Sequence, residues 1–341
     1  MSRLRLPGEK KTLMLLARLV ILVALVASLP SSIQAQENDN VGVGRKPGNP
    51  RPARVLNGHF FTPNTVLNDP WVLSSFWIGV GGGLAQGTQT TLKGLLQDEI
   101  LLSGDAGFLA GGGSYQVAFN DWFEWRFGGN GAARFGANAE ALISQGVEGG
   151  FGFMTGPSFR LVQREKFILS ASADVAVDKV FLFNVLTLVD QVIESGFDLG
   201  QKYSVVDTGT AKTFIGGAQF AYALNPTFGF NATTRLGVGS SPLVDKDDFI
   251  WSYGGSFDTD FAARTKIPMA VEVGAQYRNF HLPFISLIDH AWTTFLNVGY
   301  SGRTDLYTGV EVKFSRAIPS AENVVGTIEA TAVGVVLRYY Y

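Results

Sequence analysis

Apolar and small or polar residues alternate along the chain from Phe76 to the carboxyl terminus. In the last segment, the odd positions from Val333 to Tyr341 are apolar or aromatic, and Gly334 and Arg338 lie between them. Because successive side chains of a strand point to opposite faces, this segment has one apolar face. Twelve segments of this kind predict strands at Phe76–Ala85, Leu109–Phe119, Trp122–Phe135, Gly149–Val162, Phe167–Val177, Thr213–Leu224, Thr227–Val238, Ile250–Ala263, Ile267–Phe280, Trp292–Ser301, Asp305–Ala317 and Thr327–Tyr341.

The links between these strands alternate between short and long. Turn-forming residues make the short links, at Asn120–Asp121, Arg164–Lys166, Asn225–Pro226, Arg264–Lys266 and Gly302–Thr304. The long links lie near 86–108, 136–148, 178–212, 239–249, 281–291 and 318–326. A soluble sandwich has no reason for this rhythm, whereas a membrane barrel has short periplasmic turns and long extracellular loops.

Charged residues fall on one face of the predicted strands. In Ile267–Phe280, Val271 and Val273 share a face, and Glu272 and Arg278 lie on the other. A charge on the lipid face of a membrane barrel costs about 2–4 kcal/mol at the midplane, and a soluble barrel has an apolar interior instead. The sequence therefore predicts an all-β fold, a transmembrane antiparallel up-and-down β-barrel of about 12 strands.

The carboxyl terminus, with its alternating apolar residues and final Tyr339–Tyr341, resembles the closing strand of bacterial outer-membrane β-barrels. This resemblance implies a location in the bacterial outer membrane, contact with outer-membrane lipid, and recognition of the C-terminal strand by the barrel-assembly machinery. For this peptide alone, the alternative is a buried final strand of a soluble sheet.

The amino terminus predicts export from the cytoplasm. Basic residues precede the apolar run Leu19–Leu29, and Ala35 is a small residue at a cleavage point. A run of eleven residues is too short for a helical span, which needs about 20; a retained anchor is the alternative. We therefore predict a cleaved signal peptide at 1–35, a flexible periplasmic or plug segment at 36–70, and the barrel at 71–341.

Two stretches have helical rather than strand spacing, Thr91–Leu102 and Lys179–Ile193. Both fall in links predicted to be extracellular, which predicts one or two short loop helices. The second stretch is strongly apolar, so its side chains must pack against the lumen, the lipid or a hydrophobic ligand. Its hydrophobic loop candidates are Phe181, Phe183, Leu186 and Val189.

Composition excludes several kinds of chemistry. The 341 residues contain no Cys, and the net charge is −2, which excludes disulfides and metal thiolates and gives no reason to expect nucleic acid. His59, His281 and His290 are the only histidines, and none has the His-x-Ser spacing of outer-membrane phospholipase A. We predict no enzymatic activity, no cofactor and no metal site.

The inward face of the predicted barrel carries both signs of charge. One interpretation is a channel that passes small solutes through a polar, charge-balanced lumen, and the other is an ion-pair network that makes the interior rigid. Two further alternatives are a barrel for hydrophobic or amphipathic compounds, similar in principle to fatty-acid transporters, and a closed structural or adhesive barrel. The lumen-lining candidates are Glu124, Arg126, Arg134, Arg160, Asp174, Arg235, Asp258, Asp260, Glu272, Arg278, Glu311, Lys313 and Arg338.

Overall fold

The computed structural model contains twelve long strands in one closed sheet. It describes residues 54–93, 99–136, 147–183, 206–240, 247–265, 267–279, 288–319 and 327–341. The predicted signal peptide lies outside these ranges. A two-stranded hairpin, β1 (Val55–Leu56) and β2 (His59–Phe60), precedes the barrel. The barrel strands are β3 (Ser75–Lys93), β4 (Glu99–Asn120), β5 (Phe123–Gly136), β6 (Val147–Gln163), β7 (Phe167–Phe183), β8 (Val206–Ala223), β9 (Phe228–Ser240), β10 (Asp247–Asp260), β11 (Met269–Arg278), β12 (Ile288–Tyr300), β13 (Leu306–Pro319) and β14 (Ile328–Tyr340).

Each barrel strand pairs antiparallel with its neighbours in sequence, and the last strand closes the ring on the first. The pairs between β14 and β3 run from Tyr340 opposite Ser75 to Glu329 opposite Gln86. A closed sheet has no unpaired edge, so every strand satisfies its backbone groups within the wall. The predicted all-β, up-and-down, twelve-stranded barrel is confirmed.

The two faces of the wall have opposite polarity. On β14, Val333, Val335 and Leu337 are exposed outward, whereas Val336 and Arg338 are buried. Alternation of this kind recurs around the barrel, which places large apolar side chains outside and polar ones inside. Among the described residues, no helix is long and apolar enough to cross a membrane.

Aromatic side chains form two girdles on the outer wall. At one end, Trp122 and Phe159 stack with ring centroids 6.2 Å apart; at the other, the rings of Trp251 and Tyr277 are 4.9 Å apart. Trp251 and Phe261, which follows β10, are ten residues apart. With ~3.3 Å per residue and a strand tilt of ~40°, the band between them is about 25 Å tall, the height of a membrane-spanning apolar band.

We name the two ends of the barrel by their links. The turn end carries the links 121–122, 164–166, 224–227, 261–268 and 301–305, and the loop end is opposite. The tight turn predicted at Arg264–Lys266 is wrong in detail, because β10 stops at Asp260 and Phe261–Ala263 form a 3₁₀ helix. The Asp260 carboxylate caps this helix by accepting a hydrogen bond from the backbone N of Ala262 at 3.2 Å. The alternation of link lengths is therefore weaker than predicted.

The strands extend further toward the loop end than the sequence pattern predicted. Residues 91–93 of β3 pair with 99–101 of β4, and 179–183 of β7 pair with 206–210 of β8. The predicted helices are therefore wrong over these residues, where the backbone is satisfied by cross-strand pairing. Residues 94–98 and 184–193 lie outside the described ranges, so a helix there stays a prediction.

Candidate functional site

An N-terminal segment occupies the turn end of the lumen. We call residues 54–74 the insert; its buried side chains include Phe60, Phe61 and Trp71. Its hairpin turns at Asn57 (φ 48°) and Gly58 (φ 77°), the residue pair that tolerates two successive positive φ angles. The insert makes hydrogen bonds to inward residues of β5, β7, β10, β11, β12, β13 and β14, so it lies inside the ring.

Carboxylates of the barrel hold the backbone of the insert. Four accept backbone N–H groups and a fifth accepts the Asn64 side-chain amide, which gives an acceptor to groups that would otherwise be buried without one. The bonds are Phe60 N to Asp260 Oδ2 at 3.3 Å, Thr62 N to Asp258 Oδ2 at 2.6 Å, Thr65 N to Glu311 Oε2 at 3.0 Å, Leu73 N to Glu124 Oε2 at 2.9 Å and Asn64 Nδ2 to Glu272 Oε1 at 2.8 Å.

An ion-pair cluster ties the insert to the closing strand. Asp69 of the insert accepts hydrogen bonds from Arg54, also in the insert, and from Arg338 Nη1 of β14 at 2.7 Å. Arg338 also donates from Nη2 to Gln116 Oε1 at 2.6 Å. Burial raises the pKa of Asp69, but the two guanidinium groups lower it by more, so that the pKa lies well below its usual range. Asp69 is therefore ionised when the insert is docked.

A second ion-pair cluster lies on the inner face of β5, β7 and β9. Arg126 on β5 donates from Nη2 to both carboxylate oxygens of Asp174 on β7, at 2.9 and 3.1 Å. Arg235 on β9 donates to Asp174 Oδ2 at 3.0 Å. These contacts skip the intervening strands β6 and β8, which is possible only on the concave side of the wall. The cluster has two guanidinium groups and one carboxylate.

The remaining lumen candidates are more local. Arg134 on β5 pairs with Glu148 of β6 at 2.9 Å. Lys313 pairs with Glu311 on its own strand at 2.8 Å and also reaches the insert. Arg160, near the turn end, donates to Gln163 of the same strand. Arg278 is partly buried near the loop end of β11. That any of these side chains contacts a passing solute stays a prediction.

The hydrophobic loop candidates do not form one surface. Phe181 and Phe183 belong to β7 and are exposed on the outer wall, where Val175 and Val177 continue the same apolar row. Their assignment to a loop is wrong, because β7 extends to Phe183. Leu186 and Val189 lie outside the described residues.

Sequence reasoning missed several polar residues that position the insert. Tyr307 Oη donates to Asn297 Oδ1 at 2.7 Å, and Asn297 Nδ2 donates to the carbonyl oxygen of Pro63 at 2.8 Å. Both side chains are fully buried. The alternation of the strands predicts that both side chains point inward. Asn297 is not among the lumen candidates because those were chosen for their charge. Asp69 was missed because the insert has no strand periodicity.

No protein-family model matches the sequence, and no curated protein matches it by sequence. Solved structures resemble it at low identity. A Pseudomonas aeruginosa FadL homologue matches over 83% of this chain and 96% of its own, with 10% identity and a TM-score of 0.45. The transport unit of the autotransporter AIDA-I from Escherichia coli covers 79% of this chain and 90% of its own, with 7% identity and a TM-score of 0.45. The KdgM porin covers 77% and 99%, with 9% identity and a TM-score of 0.34.

These neighbours have different functions by their names, and similarity of this order does not indicate which solute the present chain handles. The fold itself is defined by the chain's own geometry. A closed, twelve-stranded antiparallel sheet, with an apolar outer face between aromatic girdles and a polar inner face, is the fold of an outer-membrane β-barrel.

Proposed function

We propose that the protein is a channel of the bacterial outer membrane that passes small solutes through its polar lumen, and that the insert plugs the turn end. The polarity of the wall is the observation that carries this proposal. Charged and polar side chains such as Arg126, Asp174 and Arg235 are kept inside a ring whose outside is apolar. Inward charges are costly to desolvate, and water in a polar pathway would lower that cost.

The cellular setting belongs to the same proposal. Export by a cleaved signal peptide would place the mature chain in the periplasm, and the apolar outer wall with its girdles suits outer-membrane lipid. The alternating strand that ends at Tyr341 would be recognised by the barrel-assembly machinery. With both termini on the periplasmic side, the turn end and its insert would face the periplasm. We assign no enzymatic activity, cofactor or metal.

Transport of hydrophobic or amphipathic compounds is the second candidate function. Leu56, Phe60, Phe61, Leu67 and Trp71 of the insert place apolar groups inside the lumen, and all are buried there. A lumen that accepts these side chains has room for apolar matter of similar size. A closed structural or adhesive barrel is the third candidate.

Conductance of the refolded protein in planar bilayers tests the proposal. We expect the intact protein to conduct rarely, because the insert blocks one end, and a Phe60→Ser/Phe61→Ser variant to conduct more often. Burial of each Phe side chain contributes roughly 1.5–3 kcal/mol to docking, and neither residue belongs to a long barrel strand. Val66→Ser is the control within the insert, since Val66 is only partly buried.

The outcomes separate the candidates. Frequent openings of the double variant alone support a plugged channel. Absence of conductance from heat-modifiable, folded samples of every form would reject the channel. If the double variant instead gains binding or uptake of an alkane or detergent-like compound without conductance, the second candidate is favoured.

A further inference from the structure

The cluster of Arg126, Asp174 and Arg235 has an unbalanced charge. Asp174 is the one carboxylate bonded to either arginine among the described residues. Arginine is always protonated in proteins, so the three side chains carry a local charge of +1 when Asp174 is ionised. By contrast, the carboxylates nearer the turn end are already bonded to N–H groups of the insert.

Both arginines also have spare hydrogen-bond donors. A guanidinium carries five N–H donors in a planar fork, yet each arginine contacts Asp174 through its Nη2 atom. The Nε atoms of both are buried without a hydrogen-bond partner in the described structure. The side chain of Arg235 remains 15% exposed and that of Arg126 8%, so a solute in the lumen can reach part of each side chain, but not its buried Nε atom.

Two glycines of the wall lie against the cluster. A Cβ atom at Gly156 would lie 2.8 Å from Asp174 Oδ1, and one at Gly217 would lie 3.1 Å from Arg235 Cγ. A larger residue at either position would also clash with neighbouring backbone, since a Cβ would lie 1.9 Å from the carbonyl oxygen of Ala173 or 3.0 Å from that of Thr234. The glycines thus make room for the side chains of Asp174 and Arg235.

The cluster lies next to the insert on the path through the barrel. Glu124 binds the backbone N of Leu73, and Arg126 is the next inward residue of the same strand. Inward neighbours on a strand are about 6.6 Å apart. On this side of the lumen, the guanidinium group of Arg126 therefore lies one inward position further from the turn end than the Glu124 contact with the insert.

We propose that Arg126 and Arg235 form a binding subsite for the oxyanion of a small solute, and that the channel consequently selects anions over cations. The planar forks suit carboxylate or phosphate oxygens. This inference rests on the channel function proposed above and adds the class of solute to it.

Ion selectivity tests the subsite. The reference is the Phe60→Ser/Phe61→Ser variant, in which the lumen is expected to be open, and the arginine variants are made in the same background. The zero-current potential of each is measured across a KCl gradient and then across a potassium acetate gradient. We expect an anion-to-cation permeability ratio above one, reduced at least twofold by Arg126→Gln and by Arg235→Gln. Asp174→Asn should shift the ratio in the opposite direction. Arg160→Gln, which removes a cation bonded within its own strand at the turn end, is the control and should change it little.

Each outcome is informative about one proposal or the other. A conducting channel whose permeability ratio is unaffected by Arg126→Gln and Arg235→Gln, or is altered equally by Arg160→Gln, would overturn the subsite and leave the channel function standing. Selectivity for chloride that disappears with acetate would show a general positive field without oxyanion binding and would also overturn it. Absence of conductance on the open background would reject the channel and the subsite together. Heat-modifiable migration on gels establishes folding of every variant.

Discussion

Two regions of the described lumen give their carboxylates different partners. Toward the turn end, carboxylates such as Asp258 and Glu311 are fully buried and accept hydrogen bonds from the insert. On the β5, β7 and β9 side, by contrast, the carboxylate of Asp174 has no bond to the insert among the described residues and is shared by Arg126 and Arg235. The overall balance of inward charges therefore hides a difference in the partners of the carboxylates. A pore's character depends on which charges remain uncompensated, and counting both signs along the strands does not show this.

The largest expected effect comes from removing the anion at the turn end. Asp69→Ala would leave Arg54 and Arg338 buried without their shared partner, and an uncompensated buried charge of this kind costs about 3–5 kcal/mol. We expect trypsin to cleave after Arg54 at least 100-fold faster, since Arg54 is buried when the insert is docked and cleavage tracks the undocked population.

The matched control is Asp305→Ala, which removes the exposed pair with Arg303. A surface pair contributes little, so the cleavage rate should change less than twofold. Equal rates in both variants would mean that the Arg54–Asp69–Arg338 cluster does not hold the insert.

A smaller effect is expected from the corresponding change at the Asp174 cluster. Asp174→Asn keeps one carbonyl acceptor for the two arginines, and hydrogen bonds to charged groups contribute about 1.5–3 kcal/mol. The unfolding midpoint of the barrel should fall, but cleavage after Arg54 should stay within about twofold of the intact protein. Faster cleavage would show that the two regions are coupled and would weaken the contrast between them.

Protonation of Asp69 should release the insert only at low pH. Its pKa is lowered when docked, so its contribution is fully present above the ordinary value of 3.8 and is lost as the pH falls toward the lowered value. Pepsin cleavage between Phe60 and Phe61, normalised to heat-unfolded protein, should be constant between about pH 5 and 4 and rise below that. If the insert is already fully released at pH 5, the release must be caused by protonation of carboxylates on the strands and not of Asp69.

The smallest effect concerns a neutral contact. Tyr307→Phe removes the hydrogen bond to Asn297, which positions the amide that binds Pro63. A neutral hydrogen bond contributes about 0.5–1.5 kcal/mol, so tryptic cleavage after Arg54 should accelerate roughly two- to tenfold. An effect as large as that of Asp69→Ala would place the main anchor of the insert at Tyr307 instead.

The inner and outer faces of the barrel wall were predictable because they depend on the alternation of residues within each strand. Alternation in the segment from Val333 to Tyr341 fixes which side chains face outward, and a one-residue shift would have inverted every face. The ends of strands were less predictable: cross-strand pairing extends β7 through Phe183, and this depends on partners in β6 and β8 that are remote in sequence.

The site was only partly predictable for the same reason. The inward charges could be read from the register, but their partners could not. Glu124, for instance, contacts Leu73, a residue of a segment with no strand periodicity. Likewise, the excess of guanidinium at Asp174 depends on contacts that skip a strand, and these become visible only when the sheet is curved and closed.

The closure of β14 on β3 has a consequence for the order of assembly. The insert immediately precedes β3, the strand that must wait for the last strand of the chain to complete the ring. Its binding groups are also remote in sequence, since Thr62 is 196 residues from Asp258 and Thr65 is 246 residues from Glu311. Such long-range contacts form late. The amino-terminal segment must therefore stay available until its acceptors have been made, and the ring must close around it or admit it through an open end.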